Sequence, residues 1–473
     1  MLAIGFRFRR AGILLAAVII FAFSTGILLL VLAIMRTTLS EAPEVSLFLK
    51  KLLPAGNCLC QSSTNFDCRL SIFAATQDVS MGEDLAGAKD ANWKFDFTRD
   101  GENIGLGNDQ CGSAFPGLFE DIYRAVEFRL ESNKSISVQD LDAIRLSRGM
   151  VRAMVIEGKL LVIESRHMDE DHRKKGLAIL HSIYRSISAG AGPIPNVEFV
   201  FSIEDMVQHP TQPLWSLARR PQDEDIWLMP DFGFWSWDIE DLGPFDSVVE
   251  QVVRNERERP KEDKIQKLIW RGALARAPKL RRALLDASKD KSWSDVEVLV
   301  ESESDVSGNY MSAADQCNYM FVAHAEGRSY SGSLKYRQIC DSVVIIHKMQ
   351  WIQHSHYLFV ASGPDQNYVE VERDFSDLDA VMEHFISHPE EAQRIADNSI
   401  RTFRERYLTM AAEACYWRSL LKAWSSVSFE PDKFDQESRG PARKSRGMRF
   451  ENFLLLESSE QMDFEWNKRM KGA

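Results

Sequence analysis

Residues 326–347 read EGRSYSGSLKYRQICDSVVIIH, a glycine- and serine-rich loop at 326–333 followed by a short helical segment and an apolar strand. Small residues in front of such a segment allow backbone to approach a ligand closely. Backbone N–H groups, serine hydroxyls and Arg328 are suited to a diphosphate. This Gly/Ser loop has neither the G-K-[ST] ending of a Walker A loop nor a G-x-G-x-x-G fingerprint. It therefore predicts phosphate binding without identifying the compound.

Strands and helices alternate on both sides of the loop. Before it, residues 151–165 predict a hairpin that turns at Gly158, residues 196–203 a buried strand, and residues 267–272 a strand that enters a turn. After it, apolar residues recur at helical spacing over 378–386. The alternation predicts an α/β protein with a mainly parallel sheet.

Composition places the chain among globular proteins. It has 473 residues, 45% of them hydrophobic and 27% charged, which suggests about two or three folded units. The formal net charge of -12 argues against a general nucleic-acid binder, which would present a basic face. Anionic small molecules are compatible with this charge, because a few local arginines suffice to bind them.

The N-terminus has the pattern of a signal anchor. Arginines precede an apolar run at 11–35, which is long enough to cross a bilayer as a helix and longer than the core of a cleaved signal. The arginines favour a cytosolic N-terminus. A cleaved signal peptide is the alternative. We expect a cytosolic tail at 1–10, a transmembrane signal anchor at 11–35, a polar stem at 36–90 and the remaining chain in a lumen or outside the cell.

The cysteines would then lie in an oxidising compartment, where disulfides are expected. Because the number of cysteines is odd, at least one thiol has no partner within the chain. Their spacing matches no zinc site and does not determine which cysteines pair. Asn133 begins an N-K-S sequon and is a candidate for N-glycosylation. The cysteines stand at positions 58, 60, 68, 111, 317, 340 and 415.

Asp205 comes directly after the strand NVEFVFSI and the residue Glu204. Ligands of open α/β sheets bind at the carboxyl ends of the strands, so this carboxylate is placed to act as a general base. The alternative is a helix N-cap or a loop aspartate. Glu204 is the neighbouring competitor, although strand alternation points the two side chains apart.

Arg271 and Gly272 end another predicted strand, and further arginines at 276, 281 and 282 accompany the next helix. Guanidinium groups bind phosphate oxygens in a bidentate manner, and the start of a helix adds backbone donors. A solvated basic helix face is the alternative.

Other reaction classes lack their motifs in this sequence. It contains no G-x-S-x-G nucleophile elbow, no H-E-x-x-H and no D-x-D in the N-terminal unit. His347, His354 and His356 surround an aromatic loop without ligand spacing, which indicates structural or solvated histidines. We therefore expect no metal and no cofactor.

Several segments together resemble glycosyltransferase family 90, which includes fungal capsule-associated xylosyltransferase-like proteins and animal Rumi-type protein O-glucosyltransferases. The resemblance covers residues 90 to 425. The segments are AFPGLFEDIYRA, NVEFVFSIEDM, MPDFGFWSW, LIWRGAL, DQCNYMFVAHAEGRSYSGSLKYRQICDSVVI, GPDQNYVEVERDFSDL and AAEACYWRSLL.

The resemblance implies a GT-B-like fold of two Rossmann-like domains. It also implies a metal-independent, inverting transfer from a UDP-sugar, UDP-xylose or UDP-glucose, to a glycan or glycoprotein, by a Golgi or ER membrane enzyme with a lumenal catalytic domain. The expected domains are an acceptor-side domain at 91–250, a donor-binding domain at 251–425 and a poorly ordered tail at 426–473.

The resemblance also assigns roles to residues. Asp205 matches the catalytic base, and Arg271 with Gly272 matches the R-G of the nucleotide loop. Arg281 is the best match to an arginine that contacts the donor. The residues that match the diphosphate cradle are Arg328, Ser329, Tyr330, Ser331, Gly332, Ser333 and Lys335.

Disulfides are implied in the same way. Cys317 and Cys340 match a bridge that flanks the Gly/Ser loop. A second bridge is implied between Cys415 and the cluster of Cys58, Cys60 and Cys68.

Ser333 departs from the family pattern S-x-R-x-K, in which an arginine faces the diphosphate. Losing one charge-assisted bond to phosphate costs about 1.5–3 kcal/mol, or about ten- to a hundredfold in binding or rate. Arg328 and Lys335 are candidates to compensate. The alternative function is a catalytically impaired pseudo-glycosyltransferase that binds a glycan or a partner in the lumen.

Overall fold

The structure is a computed structural model that describes residues 93–166, 169–190, 192–207, 210–237, 242–259, 261–299, 309–434, 445–456 and 458–465. These fall almost wholly in one unit, Lys94–Ala473. The expected anchor at 11–35 and the stem cysteines lie outside the described residues. Within the described ones, no helix is long and apolar enough to cross a membrane.

The first sheet combines strands from the start and the end of the described chain. Its members are β1 (Met150–Ile156), β2 (Lys159–Arg166), β3 (Val197–Ser202), β4 (Leu214–Ser216), β5 (Ile226–Leu228), β13 (Met448–Arg449) and β14 (Phe464–Glu465). They lie in the order β13-β2-β1-β3-β4-β5, with β14 also paired to β2.

The predicted hairpin is confirmed as β1 and β2. Its turn, Glu157 and Gly158, has positive φ at both residues, as the tight hairpin turns that match strand twist require. The expectation of a mainly parallel sheet is wrong for this half. β1 is antiparallel to both β2 and β3, and parallel pairing begins only with β3, β4 and β5. A short hairpin turn joins its strands antiparallel, and β1 then pairs along its other edge with β3.

The second sheet confirms the parallel expectation. Its strands are β8 (Ile265–Gly272), β9 (Ser294–Val298), β10 (Tyr319–His324), β11 (Val343–His347) and β12 (Val369–Val371). They lie in the order β12-β11-β10-β8-β9, and their pairings are parallel. β11 is buried at all its positions, as expected for a strand covered on both faces. A short antiparallel pair, β6 (Ser236–Trp237) and β7 (Gly243–Pro244), precedes this sheet in the chain.

Helices connect the strands of both sheets. The N-terminal ones are α1 (Phe97–Asp100), α2 (Asn108–Ala114), α3 (Glu120–Glu131), α4 (Val138–Asp142), α5 (Glu170–Ala189) and α6 (Phe245–Glu258). The others are α7 (Pro278–Ser288), α8 (Ala313–Gln316), α9 (Leu334–Gln338), α10 (Leu378–Ser387), α11 (Pro389–Thr402), α12 (Met410–Val427), α13 (Phe450–Phe453) and α14 (Ser459–Met462).

Helix α12 follows the second sheet in the chain and packs against the first. Its Trp424 donates a hydrogen bond from Nε1 to the carbonyl of Glu198 in β3, at 2.9 Å, and packs edge-on against Trp215 and Trp227. Its Tyr416 donates to a carbonyl in β5. Buried aromatic area and satisfied N–H and O–H groups therefore attach this helix to the sheet.

Part of the segment that was expected to be a poorly ordered tail, 426–473, forms secondary structure. β13 and β14 extend the edge of the first sheet by pairing with β2. Phe450, Phe453 and Met462 are fully buried there. Burial of these apolar side chains supplies the free energy that orders the segment, despite the polar stretch before it.

The disulfide expected between Cys317 and Cys340 is present, and it closes the segment that contains the Gly/Ser loop. The expected bridge from Cys415 to the stem cysteines is wrong. Cys415 of α12 pairs with Cys111 of α2, with Cα atoms 5.6 Å apart, a separation that a disulfide spans.

Candidate active site

Polar residues follow the parallel strands of both sheets. In the first sheet, β3 leads to Asp205 and β5 leads to Asp231. In the second sheet, β10 leads to the Gly/Ser loop, which is followed by α9. A side-chain contact joins the segment after β5 to α9. The carboxyl ends of such strands are where open α/β sheets bind ligands.

Asp231 and Lys335 make that contact. The Lys335 ammonium lies 2.8 and 3.0 Å from the two carboxylate oxygens of Asp231, and 2.9 Å from the carbonyl oxygen of Gly332. The side chains of the lysine and the aspartate are only 5% and 8% exposed. Burial lowers the pKa of Lys335, and the Asp231 charge opposes that shift. The lysine therefore holds the loop backbone while its charge is compensated by the aspartate.

Aromatic rings surround the Lys335 ammonium. It lies over the rings of Tyr336, Phe234 and Trp237, at 4.6, 5.5 and 5.7 Å from their centroids. The segment MPDFGFWSW supplies two of these rings together with Asp231. Asp231 was missed by sequence reasoning. The available signal was a carboxylate shortly after a buried strand, the same signal that identifies the predicted general base.

Asp205 follows β3 and is near enough to Tyr330 of the Gly/Ser loop for its charge to act on that phenol. The Tyr330 phenol is buried, and its burial, together with the nearby charges of Asp231 and Asp205, raises its pKa well above the usual value. The Asp205 side chain is half-buried. A half-buried carboxylate at this place has lone pairs that can accept the proton of a bound hydroxyl.

Glu204, the competing carboxylate, is held by basic groups. Its Oε1 lies 2.9 Å from Nε2 of His172 and 3.4 Å from Nε of Arg148. His172 also contacts Asp169 through Nδ1, at 2.6 Å. Because its carboxylate is engaged by these groups at the start of α5, Glu204 is a poorer base candidate than Asp205.

The Gly/Ser loop is anchored at its first residue. Both Gln350 and Trp351 donate backbone N–H groups to Oε1 of Glu326 at 2.9 Å, and Arg373 donates to Oε2 at 2.7 Å. His347 accepts the Glu326 N–H on Nε2, at 3.0 Å. This histidine therefore has the structural role that its spacing indicated. The role of Glu326 was missed, because its partners come from a distant loop.

The glycines of the loop are needed for close packing. A Cβ on Gly332 would stand 3.0 Å from the Trp237 ring, and one on Gly327 would stand 2.9 Å from the carbonyl oxygen of Tyr330. Neither glycine has a positive φ. The requirement for glycine here therefore comes from the space available and not from backbone conformation.

The serines of the loop have different surroundings. Ser331 and Ser333 are hydrogen-bonded to each other through their hydroxyls, at 2.8 Å. Ser329 is fully buried, and its hydroxyl has no partner among the described residues. Arg328 is exposed.

The two strand-end candidates, Arg271 and Gly272, have close neighbours outside the Gly/Ser loop. Arg271 donates to the carboxylate and the carbonyl of Asp295, both at 2.6 Å, and to the carbonyl of Asn309 at 3.0 Å. Its guanidinium thus holds β8 to β9. A Cβ on Gly272 would stand 2.5 Å from the Trp270 ring. The described contacts of Arg271 lie on the β9 side, and its contact with a donor stays a prediction.

Arg281 is brought to the Gly/Ser loop. From α7 it donates to the carbonyl of Glu326 through Nε at 3.2 Å and to the carbonyl of Ala273 through Nη1. Its Nη2 lies 3.8 Å from the position of a Cβ on Gly327. Burial, with the nearby charge of Arg276, lowers the pKa of Arg281 to about 10.

Arg337 lies close to Arg281 and was missed in the sequence. It stands on α9, one helical turn after Ser333, and its Nη1 lies 2.9 Å from Nδ1 of His324. Burial, with the nearby charge of Arg281, lowers the pKa of Arg337 to about 9. The signal that could have identified it is its spacing of four residues from Ser333, which places both on one face of a helix.

The sequon residue Asn133 is exposed, two positions after α3. Its φ of 51° lies in the left-handed region, which asparagine tolerates better than most residues. Exposure is compatible with glycosylation, which stays a prediction.

One acidic cluster among the described residues has metal-ligand spacing. It consists of Asp169, Asp171 and His172, whose nearest ligand atoms lie within 4.8 Å of one another. Both ring nitrogens of His172 already contact carboxylates, from Asp169 and Glu204. This cluster therefore gives no support to a metal at the Gly/Ser loop.

Comparison with known proteins identifies the class of this fold and site. The model of glycosyl transferase family 90 matches residues 110–439, and the chain belongs to that family. The resemblance inferred from sequence is thereby confirmed, and with it sugar transfer as the general activity of the family.

A curated relative shows similarity over a shorter stretch. The O-glucosyltransferase rumi homolog of Anopheles gambiae is 24% identical over 161 residues, which are 33% of this chain and 39% of that relative. The chain thus aligns with well under half of the relative's length.

Proposed function

We propose that the chain transfers a sugar from a UDP-sugar to a hydroxyl of a glycan or glycoprotein. The observation that carries this proposal is the position of Asp205, a half-buried carboxylate near Tyr330 of the Gly/Ser loop. Family membership supplies the reaction class. In this proposal the two sheets belong to the two Rossmann-like halves of a GT-B-like enzyme, with the donor on the second sheet.

Asp205 acts as the general base in this reaction. It takes the proton of the acceptor hydroxyl, whose oxygen forms a bond to the anomeric carbon of the donor. The bond from that carbon to the diphosphate breaks, and its electron pair leaves with UDP. The hydroxyl attacks from the face opposite the leaving group, so the configuration inverts.

The Gly/Ser loop and the arginine beside it stabilise the leaving diphosphate. Preorganised donors aimed at developing charge are the largest source of rate enhancement in many enzymes. Backbone N–H groups of residues 328–333 and the Arg281 guanidinium supply such donors. The proposal invokes no metal ion and no organic cofactor.

The donor sugar we propose is xylose or glucose. The Anopheles relative is named an O-glucosyltransferase, which supports glucose. The two sugars differ by one hydroxymethyl group, and separate assays with UDP-xylose and UDP-glucose distinguish them. We further propose a type II membrane protein of the Golgi or ER, because the apolar run at 11–35 follows N-terminal arginines.

The second candidate function is a pseudo-glycosyltransferase that binds a glycan or a partner. Ser333 favours it, because the resembling family has an arginine at this position. The ion pair between Lys335 and Asp231 adds to that argument, since the lysine charge is already compensated.

A UDP-release assay on the full-length chain separates the two candidates. Asp205→Asn should reduce release from a UDP-sugar by about a hundredfold or more, because general-base catalysis contributes about 10²–10⁴. Glu204→Gln is the matched control and should change the rate far less. If the wild type and Asp205→Asn release UDP equally slowly while both bind it, the enzymatic proposal is wrong and the binding module is favoured.

A further inference from the structure

Arg281 and Arg337 are two buried guanidinium groups beside the start of the Gly/Ser loop. They are 7% and 6% exposed. Neither forms an ion pair with a carboxylate of the described residues, and the charge of Arg281 is one of the causes that lower the pKa of Arg337. A buried charge without a counter-charge is costly and is normally paired.

Two other arginines that are buried among the described residues are compensated by carboxylates. Arg219 pairs with Asp121 at 2.7 Å, and Arg129 pairs with Asp225 at 2.5 Å. Arg281 and Arg337 therefore differ from these two arginines, because neither of them pairs with a carboxylate of the described residues.

Arg418 shows how backbone can take the place of a carboxylate. Its guanidinium donates to the carbonyls of Ile104, Ser186 and Leu106. Because its donors are satisfied in this way, its burial has a structural explanation.

Arg337 is satisfied much less completely. Its Nη1 meets the imidazole of His324, and its Nε is buried without a partner among the described residues. Burial, together with the charge of Arg337, lowers the pKa of His324 well below its usual value, which keeps that ring neutral. Nε2 of the ring and the hydroxyl of Ser329 are also buried without partners in the described part of the chain. Arg281, like Arg418, donates to backbone carbonyls, so Arg337 is the less satisfied of the two guanidinium groups beside the loop. Unsatisfied polar groups on β10, the loop and α9 accompany them.

Arg337 stands four positions after Ser333, where the resembling family has an arginine. Residues four apart on a helix lie on the same face, so the charge of Arg337 lies one helical turn after the position of the missing arginine. The two candidates named from sequence are less suited, because Lys335 is compensated by Asp231 and Arg328 is exposed.

We infer that Arg337, together with Arg281, binds the diphosphate of the donor and replaces the charge that is missing at Ser333. This inference rests on the proposed function. A bound diphosphate supplies the counter-charge that neither guanidinium group finds among the carboxylates of the described residues. Because both are covered in this structure, the Gly/Ser loop must move for the diphosphate to reach them, and UDP should slow amide hydrogen exchange in residues 326–333.

Calorimetric titration of the full-length chain with UDP and with uridine tests the inference. Arg337→Leu should weaken UDP binding about ten- to a hundredfold, the effect of one charge-assisted bond to phosphate. It should leave uridine binding unchanged, because uridine carries no phosphate. Arg257→Leu removes an exposed arginine of α6 and is the charge-matched control, with UDP affinity unchanged.

Ser333→Arg is a second variant, and its UDP affinity tests the inference even if Arg337→Leu does not fold. If Arg337 already supplies the charge, Ser333→Arg alone should change UDP affinity by less than about threefold, well below the effect of a new charge-assisted bond. In an Arg337→Leu background the same substitution should restore affinity. A gain of about tenfold or more from Ser333→Arg alone would show that the charge is missing, and would overturn the inference.

The remaining outcomes distinguish this inference from the proposed function. Equal UDP affinity in the wild type and Arg337→Leu would overturn the inference and leave the proposed function standing. No UDP binding by the wild type would overturn the proposed function, and the inference with it.

Discussion

Asp231 and Lys335 lie 2.8 Å apart, from a carboxylate oxygen to the ammonium nitrogen, although 104 positions separate them in the chain. Asp231 follows the last parallel strand of the first sheet, and Lys335 stands in the helix after the Gly/Ser loop of the second. The pair therefore connects the part of the site that carries Asp205 with the part that carries the loop.

Breaking this ion pair should affect both stability and donor binding. Lys335→Met leaves a buried, unpaired carboxylate, which typically costs about 3–5 kcal/mol of unfolding free energy. It also releases the carbonyl of Gly332, so KM for the donor should rise. Urea unfolding and initial rates measure the two effects. The double variant Asp231→Asn with Lys335→Met should lose less stability, because no unpaired charge remains. A double variant as unstable as Lys335→Met would contradict this account.

Removing the disulfide that flanks the Gly/Ser loop should weaken donor binding. The Cys317–Cys340 bridge spans a sequence separation of 23, and chain entropy predicts about 3 kcal/mol of stabilisation for a loop of this length. Replacing both cysteines by serine should lower the unfolding temperature and UDP affinity together. Removing the Cys111–Cys415 bridge is the matched control, which should lower stability and leave UDP affinity unchanged, because neither cysteine flanks the loop. Equal UDP affinities in the two double variants would argue against a role of the first bridge in binding.

Adding a methyl group at Gly332 should raise KM for the donor. The new Cβ would stand 3.0 Å from the Trp237 ring, so either the loop or the indole must shift. Overpacking of this kind costs about 1–3 kcal/mol. Gly112→Ala is the control, because a Cβ there meets nothing within 4 Å. Steady-state kinetics of both variants provide the measurement, and an unchanged KM in Gly332→Ala would show that the close approach is unimportant.

The stability of the protein should fall in acid partly through His354. Burial, with the nearby charge of Lys335, lowers the pKa of this histidine to about 3. An unfolded histidine has a pKa of about 6.5. Between these pH values the unfolded chain binds a proton on His354 that the folded protein does not bind. The unfolding free energy is therefore unaffected by this proton above about pH 6.5 and declines as the pH falls toward about 3.

Replacing this ring tests the linkage. His354 packs edge-on against Phe234 and Tyr416, so His354→Phe keeps an aromatic ring there. Its unfolding free energy should decline less steeply from about pH 6.5 to about pH 4 than that of the wild type, by up to about 1.4 kcal/mol per pH unit. Replacing the exposed His384 by Gln is the control. Identical pH slopes in the wild type and His354→Phe would exclude this histidine as the source.

Several elements of the fold could be predicted because their signals are local. The hairpin around Gly158, the strand that ends before Asp205 and the helix from Leu378 each follow from residue spacing within a few turns or strand lengths. Strand direction could not be predicted in the first sheet. It depends on which edge of β1 receives β3, a pairing between residues such as Val155 and Val197 that lie far apart in the chain.

The candidate site divides in the same way. Sequence alone shows that Asp205 follows a buried strand, that a Gly/Ser loop precedes a helix, and that Ser333 departs from the pattern of the resembling family. These are properties of neighbouring residues, and they specify backbone conformation and the order of elements.

Only the tertiary structure decides which residues form ion pairs and which cysteines form disulfides. Asp231 forms an ion pair with Lys335, Asp295 forms one with Arg271, and Cys111 forms a disulfide with Cys415. Folding also places Arg281 and Arg337 together beside the loop. Each of these pairings joins elements that are distant in sequence, and packing between such elements, which residue spacing does not encode, selects the partner.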